Sequence, residues 1–217
     1  MNPEVLSIEV TTTQPEHCDA LAALEALVFS TLAPEEWFTA DMYRAQVAAF
    51  PDGQLVALVH TANGAQVVGC TISLRTNETF DGEHLPYYFD FIGRGYLTTH
   101  DPAGVWLYGV GLMVHPEFRR LGVGSRIYQA RQALVRRLNL RGELVAGLMP
   151  GYERYRDTLS VDEYAAQVVA GALADPTLTM QLKNGFVLRR LLPGYIHDSR
   201  SGDTATLLVR ENPAWVG

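Results

Sequence analysis

The sequence predicts one α/β (mixed α+β) domain with a central mixed sheet. Alternating β-branched runs are interleaved with Ala/Leu-rich helical stretches across the 217 residues. An early hairpin signal is followed by a later strand–loop–helix–strand unit, and the composition is ordinarily globular at 47% hydrophobic and 19% charged. No repeat, low-complexity tract or linker interrupts it, so residues 1–217 read as a single domain with insertions at about residues 75–104 and 150–175.

Val5–Thr13 alternates and is β-branched, which predicts a first strand. Thr13 and Glu16 then form a capping box ahead of an apolar helix over Ala20–Leu32. Pro34 opens a second helix that ends at Pro51. Two strands flank Asn63-Gly64, the strongest short hairpin signal. Arg75–Gly104 is irregular and aromatic-rich; a loop this long is functional or disordered, and its aromatics argue against disorder. Val105–Pro116 is a central strand, followed by a loop, a helix and the strand Gly142–Pro150. Ser160 and Glu163 cap a helix that stops before Pro176. A short helix (Thr177–Asn184) and strands Val187–Leu192 and Thr204–Arg210 complete the chain.

The charge balance, 17 Lys+Arg against 24 Asp+Glu for a net −7, argues against a nucleic-acid binder or an anionic-membrane binder. Cys18 and Cys70 sit in apolar settings without metal-type spacing, so they read as buried reduced thiols and no metal is expected. No secretory signal or membrane-length apolar run is visible, and the expected location is cytoplasmic.

Positive charge nevertheless gathers between His115 and Arg137. Arg136 and Arg137 suit a helix C-terminus, but Arg119, Arg120 and Arg126 crowd the N-terminal end, where the helix dipole is already positive. An anion there resolves the conflict. Gly122 and Gly124 let the backbone turn sharply and let a ligand approach unpaired N–H groups, so a diphosphate is the expected guest. The alternative is a glycine turn with solvated arginines. A P-loop string is absent, and both Gly-x-Gly pairs lack the third glycine of the dinucleotide fingerprint, with Val114 or Ile127 in its place.

Arg119-Arg120-Leu121-Gly122-Val123-Gly124 resembles the R/Q-x-x-G-x-G/A signature of the GNAT (Gcn5-related) N-acetyltransferases. Leu112–Pro116 is similar to the strand end that precedes it there, and Asp175-Pro176 with Gly185-Phe186 looks like that family's cleft-closing helix. From Val105 to about Pro213 the chain is similar to the acetyltransferase module sometimes fused to carbon–nitrogen hydrolases, notably at Pro150–Tyr155. The resemblance implies a mostly antiparallel sheet splayed at an acyl-CoA site, with acetyl-CoA as co-substrate. It implies a diphosphate on the amides from Arg120 to Ser125, beside Arg119, and pantetheine along Leu112, Met113 and Val114. Arg126 or Arg131 is then available to the CoA 3′-phosphate. Gly109 and Gly111 share a face by strand alternation and leave space beside the thioester; a bulge or close helix packing is the other reading.

Direct transfer needs a neutral amine, a base and an oxyanion donor, for which the family-style candidate is an N–H near Val114. Many relatives place a tyrosine acid in the closing helix, but Gln181 stands there in this chain. Either the thiolate leaves unaided or Tyr152, Tyr155 or Tyr164 substitutes, and Glu83, His84, Asp90 or His100 is a candidate base. Arg75–Gly104 and Pro150–Asp175 are expected to wall the acceptor site, the former through Tyr87, Tyr88, Phe89, Phe91 and Tyr96. The expected acceptor is a small-molecule or peptide amine, without nucleic acid or membrane, and the aromatics suit a homo-oligomer. The competing readings are a non-catalytic CoA-binding module and a partner-docking domain.

Overall fold

The computed structural model describes residues 5–29, 37–82 and 86–217. Its seven-stranded sheet has the order β1-β2-β3-β4-β5-β7-β6. The strands are β1 (Ser7–Thr12), β2 (Leu55–Thr61), β3 (Gly64–Thr76), β4 (Trp106–Val114), β5 (Gly142–Gly147), β6 (Val187–Pro193) and β7 (Thr204–Glu211). Only β4 and β5 run parallel; every other neighbouring pair is antiparallel. A parallel pair needs a crossover, and α4 (Val123–Arg137) supplies it.

The hairpin closes through Ala62-Asn63, with Thr61 paired to Gly64, whose positive φ of 114° suits glycine. Two N-terminal boundaries differ from expectation. The chain leaves β1 through a short helical turn at Pro15–His17, where the Gln14 N–H donates to His17 Nδ1, instead of a Thr13–Glu16 box. α1 then spans Cys18–Val28. α2 spans Ala40–Ala49, capped by the Thr39 hydroxyl accepting from the Met42 N–H; Ser30 to Glu36, where the second helix was expected to open, lie outside the described residues. The Ser160–Glu163 box stands as read and starts α5 (Val161–Val169).

The long aromatic insertion contains one helical turn, α3 (Tyr88–Phe91), and packs with α1 and α2 on one sheet face around Tyr108, Phe80 and Tyr195. On the other face α4 covers β2, β3 and β4 through Val123, Ile127 and Leu134. Beside it, α5 and α6 (Leu178–Lys183) form a second cluster with Tyr152, Tyr164 and Phe186. Among the described residues, no helix is long and apolar enough to cross a membrane.

The sheet opens at its parallel seam. Pairing of β4 with β5 runs from Trp106↔Gly142 to Gly109↔Val145 and stops, although both strands continue. The central strands therefore part into a fork, as the resemblance implies.

Candidate functional site

A cavity of about 520 Å³ fills this fork and extends to both sheet faces. Gly109–Met113 of β4 and Val145, Ala146 and Gly147 of β5, with Leu148 just beyond it, form its walls, α1 and the aromatic insertion close one side, and Tyr128, Arg131, Met180 and Gln181 close the other. Beyond Gly109 the edge of β4 facing β5 has no ladder partner, which leaves its polar groups for an extended guest laid in like a strand.

The two β4 glycines do not share a face. Ile72 pairs with Gly111 and Ser73 with Gly109, so Val110 is the extra residue of a β-bulge. The bulge shifts the side-chain phase by one. Gly109 lies against Arg131 of α4, where a Cβ would come 2.5 Å from the guanidinium, whereas the nearest atom to a Cβ on Gly111 is Ile72 Cδ1 at 4.0 Å on the opposite face. Tyr88 reaches from α3 to donate its hydroxyl to the Val110 carbonyl at 3.1 Å, so the insertion pins the bulge.

At the mouth of the fork stands the N-terminus of α4. Gly122, its cap, is left-handed at φ 83°, and no atom lies within 4 Å of where its Cβ would be. The first intrahelical bond runs from the Arg126 N–H to the Gly122 carbonyl, so the amides of Val123, Gly124 and Ser125 precede it without helical partners. Arg119, Arg120, Leu121 and Arg126 are exposed around this turn, and Arg119 Nε donates to the Val114 carbonyl. Met180 of α6 lies 3.9 Å from a Cβ built on Gly124 and also lines the cavity, so the cradle and the fork adjoin. An open glycine turn, free amides and three guanidiniums fit a diphosphate, and the unpaired strand edge fits a pantetheine arm.

On the opposite face the cavity meets Glu25 of α1, a carboxylate only 5% exposed. Tyr43 of α2 donates its hydroxyl to Glu25 Oε2 at 2.8 Å. Burial pushes the Glu25 carboxyl from 4.5 up to about 7, against smaller opposing effects of the Tyr43 and Phe38 hydrogen bonds. Burial likewise holds the Tyr43 hydroxyl protonated. Cys70 also lines the cavity as a free thiol, and burial, then the Glu25 charge, pushes it far above the ordinary thiol range. It therefore lacks the thiolate character of a nucleophile.

The candidate acids and bases read from the sequence lie elsewhere. Tyr152 and Tyr155 pack in the second cluster and do not line the cavity; the Tyr152 hydroxyl donates to the Leu159 carbonyl. The Tyr164 hydroxyl is taken by Asp175 Oδ2 at 3.0 Å. His100 stacks on Phe50 and its Nδ1 accepts from the Arg75 N–H, while Asp90 pairs with Arg94. Glu83 and His84 lie outside the described residues. Of the two walls expected for the acceptor, the first insertion contributes Tyr87, Tyr88, Phe89 and Arg94, whereas no residue of 150–175 reaches the cavity. Phe91 turns instead to Phe80 and Tyr108, and Tyr96 is exposed. Gln181 does face the cavity, 5% exposed, where its tyrosine counterpart was expected. Arg131 is buried against Glu143 and so is turned away from any surface phosphate.

Comparison with known proteins agrees with this geometry. Residues 20–151 match the model of the Acetyltransferase (GNAT) family. The chain is 38% identical over 167 residues to the probable hydrolase YhcX of Bacillus subtilis (strain 168), covering 76% of this chain but only 31% of that protein. It is 27% identical over 195 residues to the uncharacterized N-acetyltransferase YkwB of the same organism, covering 89% of this chain and 84% of that one. Among solved structures it resembles the GphF GNAT-like decarboxylase in complex with isobutyryl-CoA (TM-score 0.74, 23% identity, 94% of this chain and 98% of that one). It also resembles the loading GNATL domain of CurA from Lyngbya majuscula (TM-score 0.75, 19% identity, again 94% and 98%). The forked sheet, the helix-terminal cradle and the matched span lead to one assignment: the chain belongs to the GNAT acetyltransferase family.

Proposed function

We propose that this chain is an acyl-CoA-dependent N-acyltransferase that passes an acetyl group to a primary amine by direct attack, with Glu25 as general base. The observation that carries the reading is a continuous cavity joining the β4–β5 fork to a buried carboxylate poised near neutrality. The amides of Val123–Ser125, with Arg119, Arg120 and Arg126, hold the diphosphate of acetyl-CoA, and the free edge at Leu112, Met113 and Val114 aligns its pantetheine. The acceptor, a small-molecule or peptide amine, enters on the α1 face between the aromatic insertion and Glu25.

At pH 7 roughly one alkylamine in a few thousand is neutral, so a base contributes directly to rate. Glu25 takes the ammonium proton, the amine lone pair attacks the thioester carbonyl, and the oxyanion develops beside the bulged β4 backbone. The C–S bond then breaks, CoA leaves as a thiolate, and the proton shed by the new amide nitrogen passes to that thiolate or to solvent. The parent thiol has a pKa near about 8.5, and departure without a tyrosine acid is compatible with Gln181 at that position. The inert Cys70 supports direct attack over an acyl-cysteine intermediate.

The test is calorimetric titration with acetyl-CoA, followed by an amine screen across pH. The expected kcat/KM rises through about pH 7, and Glu25→Gln lowers it about 10²–10⁴-fold with acetyl-CoA still bound. Tight CoA binding with no turnover on any amine would instead favour the non-catalytic module, the reading that the glutamine at position 181 motivates.

A further inference from the structure

The cavity floor holds a charge that the transfer of a neutral acetyl group does not require. Arg131 is 2% exposed, lines the cavity, and makes no hydrogen bond through its guanidinium among the described residues. Its Nη2 stands 3.1 Å from Glu143 Oε2, an ionic contact out of line for a hydrogen bond, so Arg131 Nε and Nη2 and Glu143 Oε2 all keep unused capacity. The other oxygen of Glu143 is held by Arg210, whose second nitrogen donates to the Asn184 carbonyl at 2.7 Å. Two guanidiniums thus share one carboxylate, and the group leaves a surplus positive charge in the interior. A buried cation that has only a share in one carboxylate is unfavourable in the absence of a second anion.

Its place in the fork points to the anion. Each diverging strand carries a glycine whose missing side chain makes way for a polar one. The Arg131 guanidinium fills the space at Gly109 and the Gln181 amide fills it at Gly147, 2.5 Å from either hypothetical Cβ. Gln181 Oε1 is buried and has no partner either. These groups lie on the α4–α6 side of the sheet, away from Glu25, so the tail of a thioester seated in the fork reaches them before an acceptor does.

We propose that the acyl subsite recognises a carboxylate at the end of a short acyl chain, making the preferred donor a monothioester of a dicarboxylic acid, anchored by Arg131 with help from Gln181. The inference rests on the acyl-CoA reading above and puts a carboxylated acyl group in place of acetyl as the preferred cargo.

Calorimetry on the full chain with malonyl-CoA against propionyl-CoA, and succinyl-CoA against butyryl-CoA, tests it, because each pair exchanges a carboxylate for a terminal methyl. At least one carboxylated donor is expected to bind about tenfold to a hundredfold more tightly than its partner, the range for a hydrogen bond to a charged group. Arg131→Met should abolish that preference, and free CoA, which does not reach the floor, reports that the variant is folded. The Glu143–Arg210 pair stays neutral in that variant, so the fold has no new unpaired charge to bear. Should the variant fail to fold, the wild-type preference still decides. Equal affinity within both pairs, or a preference that survives Arg131→Met, overturns the proposal while leaving the acyl-CoA reading intact. No binding of free CoA, acetyl-CoA or any other donor overturns both.

Discussion

Replacing Glu25 by glutamine should make the protein more stable at alkaline pH while removing its activity. The folded state holds the Glu25 proton up to about 7, whereas an unfolded chain releases it near 4.5. Between those values the native state binds more protons than the unfolded one, so this group makes stability fall as pH rises through the window. The difference corresponds to about 3 kcal/mol, an upper range because a partly hydrated cavity screens the ionised form. Glutamine keeps an oxygen to accept from the Tyr43 hydroxyl but cannot ionise. Below about pH 5 the two proteins should have similar stability. At pH 8 the variant should be ahead by up to about 3 kcal/mol, or roughly 6–12 °C in Tm for a chain of this size. Urea unfolding of both proteins at pH 5.5, 7 and 8.5 gives the difference curve, in which all other titrations cancel. Parallel curves would refute the claim that Glu25 is ionised at a cost in the folded state. A variant that gained the stability yet kept full transfer activity would refute its role as base.

Three further substitutions probe other parts of the site. Gly122→Val should abolish CoA binding because its side chain occupies the open space of the cradle; the left-handed backbone at φ 83° adds a loss of about 1–2 kcal/mol, which thermal unfolding would register. Gly109→Ala should displace the Arg131 guanidinium, which its methyl would meet at 2.5 Å, and cost up to about 3 kcal/mol in urea unfolding. Tyr152→Phe should leave kcat/KM within about twofold and lower stability by about 1 kcal/mol, the worth of its bond to the Leu159 carbonyl; a large loss of activity would return that tyrosine to the reaction.

Much of the fold was legible because its signals are local. The Ser160–Glu163 box, the hairpin at Asn63-Gly64, and the glycine turn ahead of α4 each depend on a few adjacent residues, and each appears close to where it was read. The face of Gly109 was not legible, because it depends on a bulge, and a bulge is a relation between two strands. Period-two alternation carried straight through β4 puts Gly109 and Gly111 together, but one extra residue opposite Ile72 and Ser73 separates them. The tyrosines of 150–175 misled for a similar reason. Their composition suits an active-site wall, but their hydroxyls are used by local partners such as Leu159 and Asp175.

Glu25 and Arg131 both break the apolar pattern of their helices, a signal present in the sequence but not used for Glu25 and assigned to a surface phosphate for Arg131. On α1, Leu21, Leu24 and Val28 mark the buried stripe, and Glu25 falls on that stripe at four residues from Leu21. On α4, Ile127 and Leu134 mark it, and Arg131 sits between them at four and three residues. A charged residue at such a position either forces the helix to turn or is held there by the fold, since an unpaired buried charge is costly. In both helices the fold holds it, at the one cavity where the sheet has parted. Glu25 reaches the cavity from the α1 face and Arg131 from the α4 face, so the two breaks in the apolar pattern converge on the same fork from opposite sides. A carboxylate on the acceptor side and a guanidinium on the acyl side is the polarity that amine deprotonation and carboxylate anchoring would require. The charged residue on a core-facing stripe is therefore the sequence signature of this site, and the polar residues of the loops do not carry it.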